Sequence, residues 1–229
     1  MRTVSTTQIL RARPRRELRD VLRSPRLARA LARPGDARHR ARNARLLADL
    51  GNGARLNIGC GPNALDGWTN IDRGRTTMAD VRLDLRGGLP LPGTALQFAY
   101  SEHVIEHMDR RVAKLWLTDL RNGARADGIV RIATPDLAFI VERYCHDWRD
   151  QAWLRGPEYG SIQGPAEMLN TALRAWGHVY VYDEDDLTRL CREAGFTRVS
   201  RCAWGESVAP ELAGLETRVD STLVVEARP

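Results

Sequence analysis

Two clusters in the sequence combine residue types and spacings that could do chemistry. The first is Gly59-Cys60-Gly61, with Asn57 just before it and Asp72 13 positions beyond Gly59. The apolar run at residues 55–59 leads straight into the glycines. Such a turn, at the carboxyl end of a strand, lets a nucleotide-like ligand approach the backbone without meeting a Cβ. Gly59-x-Gly61-x-x-Ala64 also fits the dinucleotide fingerprint. However, Pro62–Asn63 interrupts the helix start, and the acid arrives well short of the ~20 residues usual for a ribose-binding carboxylate. A nicotinamide or flavin cofactor is therefore disfavoured.

The second cluster is His103-Val104-Ile105-Glu106-His107. On a helix, H-x-x-E-H puts two histidines on one face, where they can hold zinc with Glu106 as general base. A zinc-dependent hydrolase is thus one reading. The position speaks against it, because the motif opens the expected helix straight after an apolar strand, whereas the hydrolase motif sits mid-helix. Two more residues are candidates for moving a proton: Asp136 in Thr134-Pro135-Asp136, and His178 in Gly177-His178-Val179-Tyr180. Asp136 is equally suited to capping the helix that follows it.

These residues need elements to hold them. From residue 55 onward, short apolar runs alternate with turns and helical patterns. Strands are expected at 55–59, 69–72, 81–85, 96–100 and 128–133, with two more at 196–202 and 221–227. A helix is expected over 103–122. Asp183 caps another, with Leu187, Leu190, Cys191 and Ala194 on one face, and Gly195 stops it. The alternation implies an α/β fold with a mostly parallel sheet covered on both faces. Residues 60–68 are too few for the usual crossover helix. Residues 135–182 exceed an ordinary strand–helix connection and hold Trp148, Trp153, Tyr159 and Trp176, so they read as a helical insert over the ligand-facing edge. The aromatics serve either as the insert's own core or as substrate contacts.

Composition bounds the function. The first 45 residues carry fourteen arginines against Glu17, Asp20 and Asp36, a net charge of +11 that leaves −5 on the rest of a chain whose total is +6. The basic character belongs to an N-terminal extension, residues 1–50, and the domain at 51–229 is acidic, which speaks against nucleic acid as substrate. Apolar positions at helical spacing, broken by Pro14, Pro25 and Pro34, make the extension a helical arm, packed on the domain or able to touch a membrane or a partner protein. Cys60, Cys145, Cys191 and Cys202 form no C-x-x-C pair and read as reduced thiols of a cytoplasmic protein. No run of 18 apolar residues occurs, and no secretory signal is expected.

The segments LNIGCGPNALDGWTNID, ADVRLDL, LPLPGTALQFAYSEHVIEHM, GIVRIATPDL and GHVYVYDEDDLTRLCREAGF, in that order over residues 54–203, resemble a family of class I S-adenosylmethionine-dependent methyltransferases. That family is often met among polysaccharide and natural-product genes, its first crossover is also short, and it carries the H-x-x-E-H residues without metal. The resemblance implies a Rossmann-like three-layer fold with a seven-stranded sheet, and S-adenosylmethionine as cofactor. Gly59, Cys60 and Gly61 would approach its methionine part with Asn57 nearby. Asp72 would accept both ribose hydroxyls, and Asp84 and Leu85 would border the adenine. Ser101, Glu102 and His103 would line the sulfonium side. His103, His178 and Asp136 are the candidates for catalysis, and the acceptor would be a small molecule or saccharide, O-methylated. Arg125–Ala126–Asp127–Gly128 departs from the family's Lys-Pro-Gly-Gly turn. A methyltransferase-like module that binds without catalysing is the remaining alternative.

Overall fold

The computed structural model describes residues 34–74, 77–93 and 95–229 of the chain. The expected arm contact with a membrane or partner falls on residues outside these for 1–33. By chain contacts the protein divides into Met1–Arg38 and a compact unit His39–Pro229. The unit therefore takes in residues 39–50, which sequence had assigned to the extension. The reason is specific: Arg40 makes a two-pronged 2.6 Å ion pair with Asp119, Asn43 Nδ2 donates to the carbonyls of Asp84 and Gly88, and Leu47 is buried in the main core.

In chain order the elements are α1 (Pro34–Leu46), β1 (Ala54–Ile58), β2 (Thr69–Asp72), β3 (Val81–Arg82), β4 (Leu96–Glu102), α2 (Arg110–Gly123), β5 (Ala124–Thr134), α3 (Leu137–Cys145), α4 (Pro165–Arg174), α5 (Glu184–Glu193), β6 (Arg198–Cys202) and β7 (Leu223–Arg228). The strands form one seven-stranded sheet in the order β3-β2-β1-β4-β5-β7-β6. The first five are parallel, and β7 runs antiparallel to both of its neighbours. From β1 the chain builds outward to β3 on one side, then returns to place β4 and β5 on the other. The carboxyl ends of β1 and β4 thus flank the point where strand order reverses, the usual ligand crevice of such sheets.

Side chains alternate across the pleat. Leu56, Ile58, Ala99, Val130, Ile132 and Val225 pack on one face with Trp116, Leu117 and Leu120 of α2 and Leu187 and Leu190 of α5. Helix α2 begins where the Asp109 carboxylate accepts Val112 N, and α5 where Asp183 accepts Asp186 N; α5 stops at Gly195, whose φ of 105° suits glycine. On the other face Phe98, Tyr100 and Ile129 are covered by Leu65, Trp68, Ala209, Leu212 and Leu215. Among the described residues those covering side chains come from short irregular segments and one 3-10 turn. Residues 59–68 are too short for a helix, and the stretch between β6 and β7 holds one 3-10 turn, Pro210–Leu212. Beneath it the fully buried Arg131 pairs with Glu216 at 2.6 Å and Glu226 at 2.9 Å.

Two expected elements are shorter than their sequence patterns. The strand β3 is confined to Val81–Arg82, with one further bond from Leu83 N to the Asp72 carbonyl, because Asp84 then accepts Arg86 N and residues Leu85–Gly87 bend into a 3-10 turn. The helix expected from 103 begins at Arg110; His103 has φ 51°, and Ile105–His107 is an isolated 3-10 turn. The insert after β5 is helical as expected. It has its own apolar cluster around Ile140, Met168, Ala172 and Val181, with Trp148 and Trp153 packed against it. Among the described residues no helix is long and apolar enough to cross a membrane.

Candidate active site

At the end of β1 the backbone turns so that Gly59 N and Cys60 N both donate to the Ile71 carbonyl of β2. Gly59 has φ 71°, and a Cβ there would lie 2.2 Å from Cγ2 of Val104, so the turn packs against the chain leaving β4 with no room for a side chain. Asp72 ends β2 and stiffens the turn: its carboxylate accepts Gly61 N at 3.0 Å and Gly74 N at 2.6 Å. A carboxylate has about four lone-pair positions, so about two remain for a ligand.

Above this turn lies a cavity of about 380 Å³, walled by Gly59, Asp72, Leu83, Asp84, Leu85, His103, Val104, His107 and Val179 among others. Five of the residues expected around a cofactor, Gly59, Asp72, Asp84, Leu85 and His103, line it. Asn57, Cys60, Gly61, Ser101 and Glu102 do not. Asn57 is buried under the turn, where its Nδ2 donates to Asn70 Oδ1 at 2.9 Å and to the Asn63 carbonyl. The thiol of Cys60 and the hydroxyl side chain of Ser101 are buried in the sheet end. Asp84 lines the cavity, but Arg86 holds its carboxylate through both side-chain and backbone nitrogens. Burial pushes the Asp84 pKa up, and these contacts outweigh it and hold the group below its ordinary range.

Glu102 points the other way, into the loop before β7. It accepts from Thr217 N, the Thr217 hydroxyl, Arg218 N and the Ser221 hydroxyl, the last at 2.7 Å. Burial alone would raise its pKa; the four donors overcome that and hold it below the usual carboxylate range. The consequence is the placement of Asp220, whose Oδ1 lies 3.6 Å from His103 Nε2. Sequence reading had not singled out Asp220, because it sits in a segment without apolar period and is brought in by a contact across more than a hundred residues.

His103 itself occupies the left-handed region, uncommon for a residue with a Cβ. It is fixed there by its N–H donating to the Ala133 carbonyl. Its Nδ1 lies 3.3 Å from Glu106 Oε1. Glu106 is fully buried, with Oε2 accepting the Thr134 hydroxyl at 2.9 Å. Around Oε1 stand His107 Nε2 at 3.9 Å and His178 Nε2 at 4.0 Å. His178 Nδ1 is 2.8 Å from the Ala172 carbonyl, which can only accept, so this nitrogen carries the proton and neutral His178 has its lone pair on Nε2. His107 Nδ1 faces the Gly177 carbonyl in the same way. Burial favours the neutral form of Glu106, His103 and His178: it raises the Glu106 pKa to about 7 and lowers those of the two histidines.

A second cavity, of about 260 Å³, lies on the far side of this cluster under the insert. Phe139, Arg143, Asp150, Gln151, Trp153, Arg155, Trp176, His178, Val219 and Asp220 line it. Trp153 and Trp176 meet edge to face at 5.3 Å, each also against Tyr159. Trp153 packs in the insert's core and also walls this cavity. His103 and His107 face the first cavity, Asp220 and His178 the second, and the contacts between them make the partition one side chain thick.

Asp136 is not in this group. One of its oxygens accepts Ala138 N at the start of α3 and the other takes Arg201 Nη2 at 3.0 Å, so the residue caps a helix and pins β6. It is removed from the catalytic candidates. The zinc-hydrolase geometry is absent as well, since His103 and His107 share no helix. The donors that do gather are His103, Glu106 and His178, whose ligand atoms all lie within 4.8 Å of one another.

No protein-family model matches the chain, and no curated protein does. Among solved structures it is similar to a SAM-dependent methyltransferase from Archaeoglobus fulgidus, with TM-score 0.45 and 14% identity over 85% of this chain and 94% of the other. A putative O-methyltransferase from Nostoc punctiforme gives TM-score 0.45 and 13% identity over 89% of this chain, which spans 59% of that protein. A SAM-dependent methyltransferase from Thermotoga maritima, described as a possible histamine N-methyltransferase, gives TM-score 0.44 and 16% identity over 93% of this chain and 94% of the other.

Proposed function

We propose that the chain is an S-adenosylmethionine-dependent methyltransferase that methylates a hydroxyl of a small, polar, ring-containing acceptor such as a saccharide. The observation that carries this reading is the pair of cavities meeting at a partition one side chain thick, the first of them at the strand-order reversal.

The first cavity fits the cofactor's parts. The Gly59 turn forms part of the cavity wall, packed against Val104. Asp72 keeps lone pairs for two hydroxyls, and Leu83, Leu85 and Val104 supply apolar walls for a planar base. The fit at Asp84 is to its neighbourhood and not to its carboxylate, which Arg86 occupies. When bound, the cofactor supplies a sulfonium-activated methyl carbon, open to in-line displacement by a nucleophile.

The chain's own residues then have three tasks. The aromatic walls of the second cavity, Phe139, Trp153 and Trp176, give a ring somewhere to stack and exclude water. Asp150, Gln151, Arg143 and Arg155 offer both donors and acceptors, as a polyhydroxylated ring requires. His178 presents the Nε2 lone pair to this cavity, with Nδ1–H fixed on Ala172, and can take the hydroxyl proton as transfer occurs. His103, held against Asp220, stands on the cofactor side of the same wall.

The test is incubation with methyl-labelled S-adenosylmethionine and a panel of free and nucleotide-linked sugars, with small phenols and amines as controls. Label is expected in a hydroxyl-bearing acceptor. Transfer only to amines would contradict the acceptor assignment, and failure to retain the cofactor at all would contradict the whole reading.

A further inference from the structure

We propose that His103, Glu106 and His178 form a binding site for one divalent transition-metal cation of the zinc type, set in the wall between the two cavities. Binding of the cation does not depend on the methyltransferase reading; only its role toward the acceptor rests on that reading.

Three observations converge. The first is the donor set: two imidazoles and one carboxylate, the combination that suits zinc and its neighbours in the first transition row. In a tetrahedral site with bonds near 2.0–2.1 Å, adjacent donors stand about 3.3 Å apart. His103 Nδ1 and Glu106 Oε1 already do, at 3.3 Å; His178 Nε2 is 4.0 Å from Glu106 Oε1, and all three ligand atoms lie within 4.8 Å of one another, so the His178 ring must move inward to complete the site.

The second is that the unused side of two of the ligands is held. His178 Nδ1 donates to the Ala172 carbonyl, leaving Nε2 for the metal, and Glu106 Oε2 accepts from Thr134, leaving Oε1. His103 Nε2 stands 3.6 Å from Asp220 Oδ1, too far for a hydrogen bond, with Nδ1 turned to Glu106. Such outer partners fix ring orientation and tautomer in metal sites.

The third is an unmet need. Glu106 Oε1 and His103 Nε2 are both buried and have no hydrogen-bond partner among the described residues. A buried carboxylate oxygen facing imidazole nitrogens at 3.3–4.0 Å without a bond calls for a bridging cation or a bridging proton. His107, the second histidine of the sequence motif, is a poorer ligand. Its Nε2 stands as near Glu106 Oε1, at 3.9 Å, but its side chain is 37% exposed where that of His178 is 2% exposed.

With three protein ligands, the cation keeps at least one open position toward the cavities. In the proposed transferase that position would take the acceptor's hydroxyl oxygen and lower its pKa, and with the cation on the His178 lone pair the hydroxyl proton would pass to the Asp220 carboxylate, which lines the second cavity.

The experiment uses the full chain, freed of metal with a chelator and titrated with Zn2+ against a competing indicator, with S-adenosylhomocysteine affinity measured on the same sample. One equivalent is expected to bind and to raise the thermal midpoint. His178→Ala and Glu106→Gln should each weaken binding by at least about tenfold, and His107→Ala should leave it unchanged. Substitution of Co2+ into the unmutated chain should give the visible absorption of a low-coordinate nitrogen–oxygen site, a readout that stands if a variant fails to fold. Folded protein that binds no stoichiometric Zn2+, or binds it equally in His178→Ala, overturns the site. If that protein still binds S-adenosylhomocysteine, the methyltransferase reading survives.

Discussion

His103 Nε2 lies 3.6 Å from Asp220 Oδ1, and through this contact a residue that lines the first cavity meets one that lines the second. Neither is placed by its own element. His103 is held in a left-handed backbone conformation at the end of β4, and Asp220 is carried in by the loop that Glu102 grips with four hydrogen bonds.

Replacing Asp220 by Asn or His178 by Ala should therefore damage turnover far more than cofactor binding. The expected loss in kcat for His178→Ala is about 10²–10⁴-fold, the range for a proton-transfer group. Affinity for S-adenosylhomocysteine should stay within about threefold, since His178 does not line that cavity. Parallel steady-state kinetics and calorimetry separate the two effects; an equal loss of both would move His178 into the cofactor site.

Gly59→Ala should cost about 1–3 kcal/mol of stability and abolish cofactor binding, because the added methyl meets Val104 Cγ2 at 2.2 Å on a backbone with positive φ. Trimming the obstacle in Gly59→Ala/Val104→Ala should recover part of that cost. The conformational share stays, so recovery is incomplete. A denaturant double-mutant cycle reads the coupling, and strict additivity would show that the two side chains never met.

Arg40→Ala should destabilise the domain by about 1–2 kcal/mol. It strands the nearly buried Asp119 carboxylate, although Arg40 is itself partly solvated and its contribution is screened accordingly. Asp119→Ala should cost more, since Leu89 N, which also donates to Asp119, then loses its partner. Urea unfolding of both variants checks the order. A neutral Arg40→Ala would return residues 39–50 to the extension.

The cysteines offer a pH-dependent check. Burial, then the negative charges of Asp72 and Asp80, push the Cys60 thiol up to about 11. The folded chain thus keeps a proton that the unfolded chain loses from about pH 9, where the ordinary thiol value lies, and this contribution lowers stability as pH rises from about 9 to about 11. At pH 8 a thiol reagent should modify exposed Cys145 quickly and leave Cys60 and Cys191 untouched until the protein unfolds. Rapid modification of Cys60 in folded protein would mean that the turn at β1 opens.

What the sequence made legible was local. The strand at residues 55–59, its glycine turn and the Asp183-capped helix all follow from contacts within about ten residues, and each is found with a shift of one or two positions. The helix start at 103 was misread because Ile105, Met108, Val112 and Trp116 keep helical spacing through a segment that His103 and the Asp109 cap break in two. Asp136 looked chemical by type and position, yet a neighbour 65 residues away, Arg201, claims its second oxygen. Asp220 and the loop cover over Phe98 and Tyr100 had no local signal, because long-range pairing alone creates them. The pocket floor is written in short-range pattern, and the wall between the two cavities is assembled by topology.

The most direct measurement is calorimetric titration of the full, metal-free chain with S-adenosylhomocysteine, beside Asp72→Ala and the milder Asp72→Asn, with circular dichroism to confirm folding. One-to-one binding is expected. Asp72→Ala should weaken it by about a hundredfold, the equivalent of two hydrogen bonds to a charged acceptor. Folded protein that shows no binding, or binding that Asp72→Ala leaves intact, would contradict the assignment of this cavity to the cofactor.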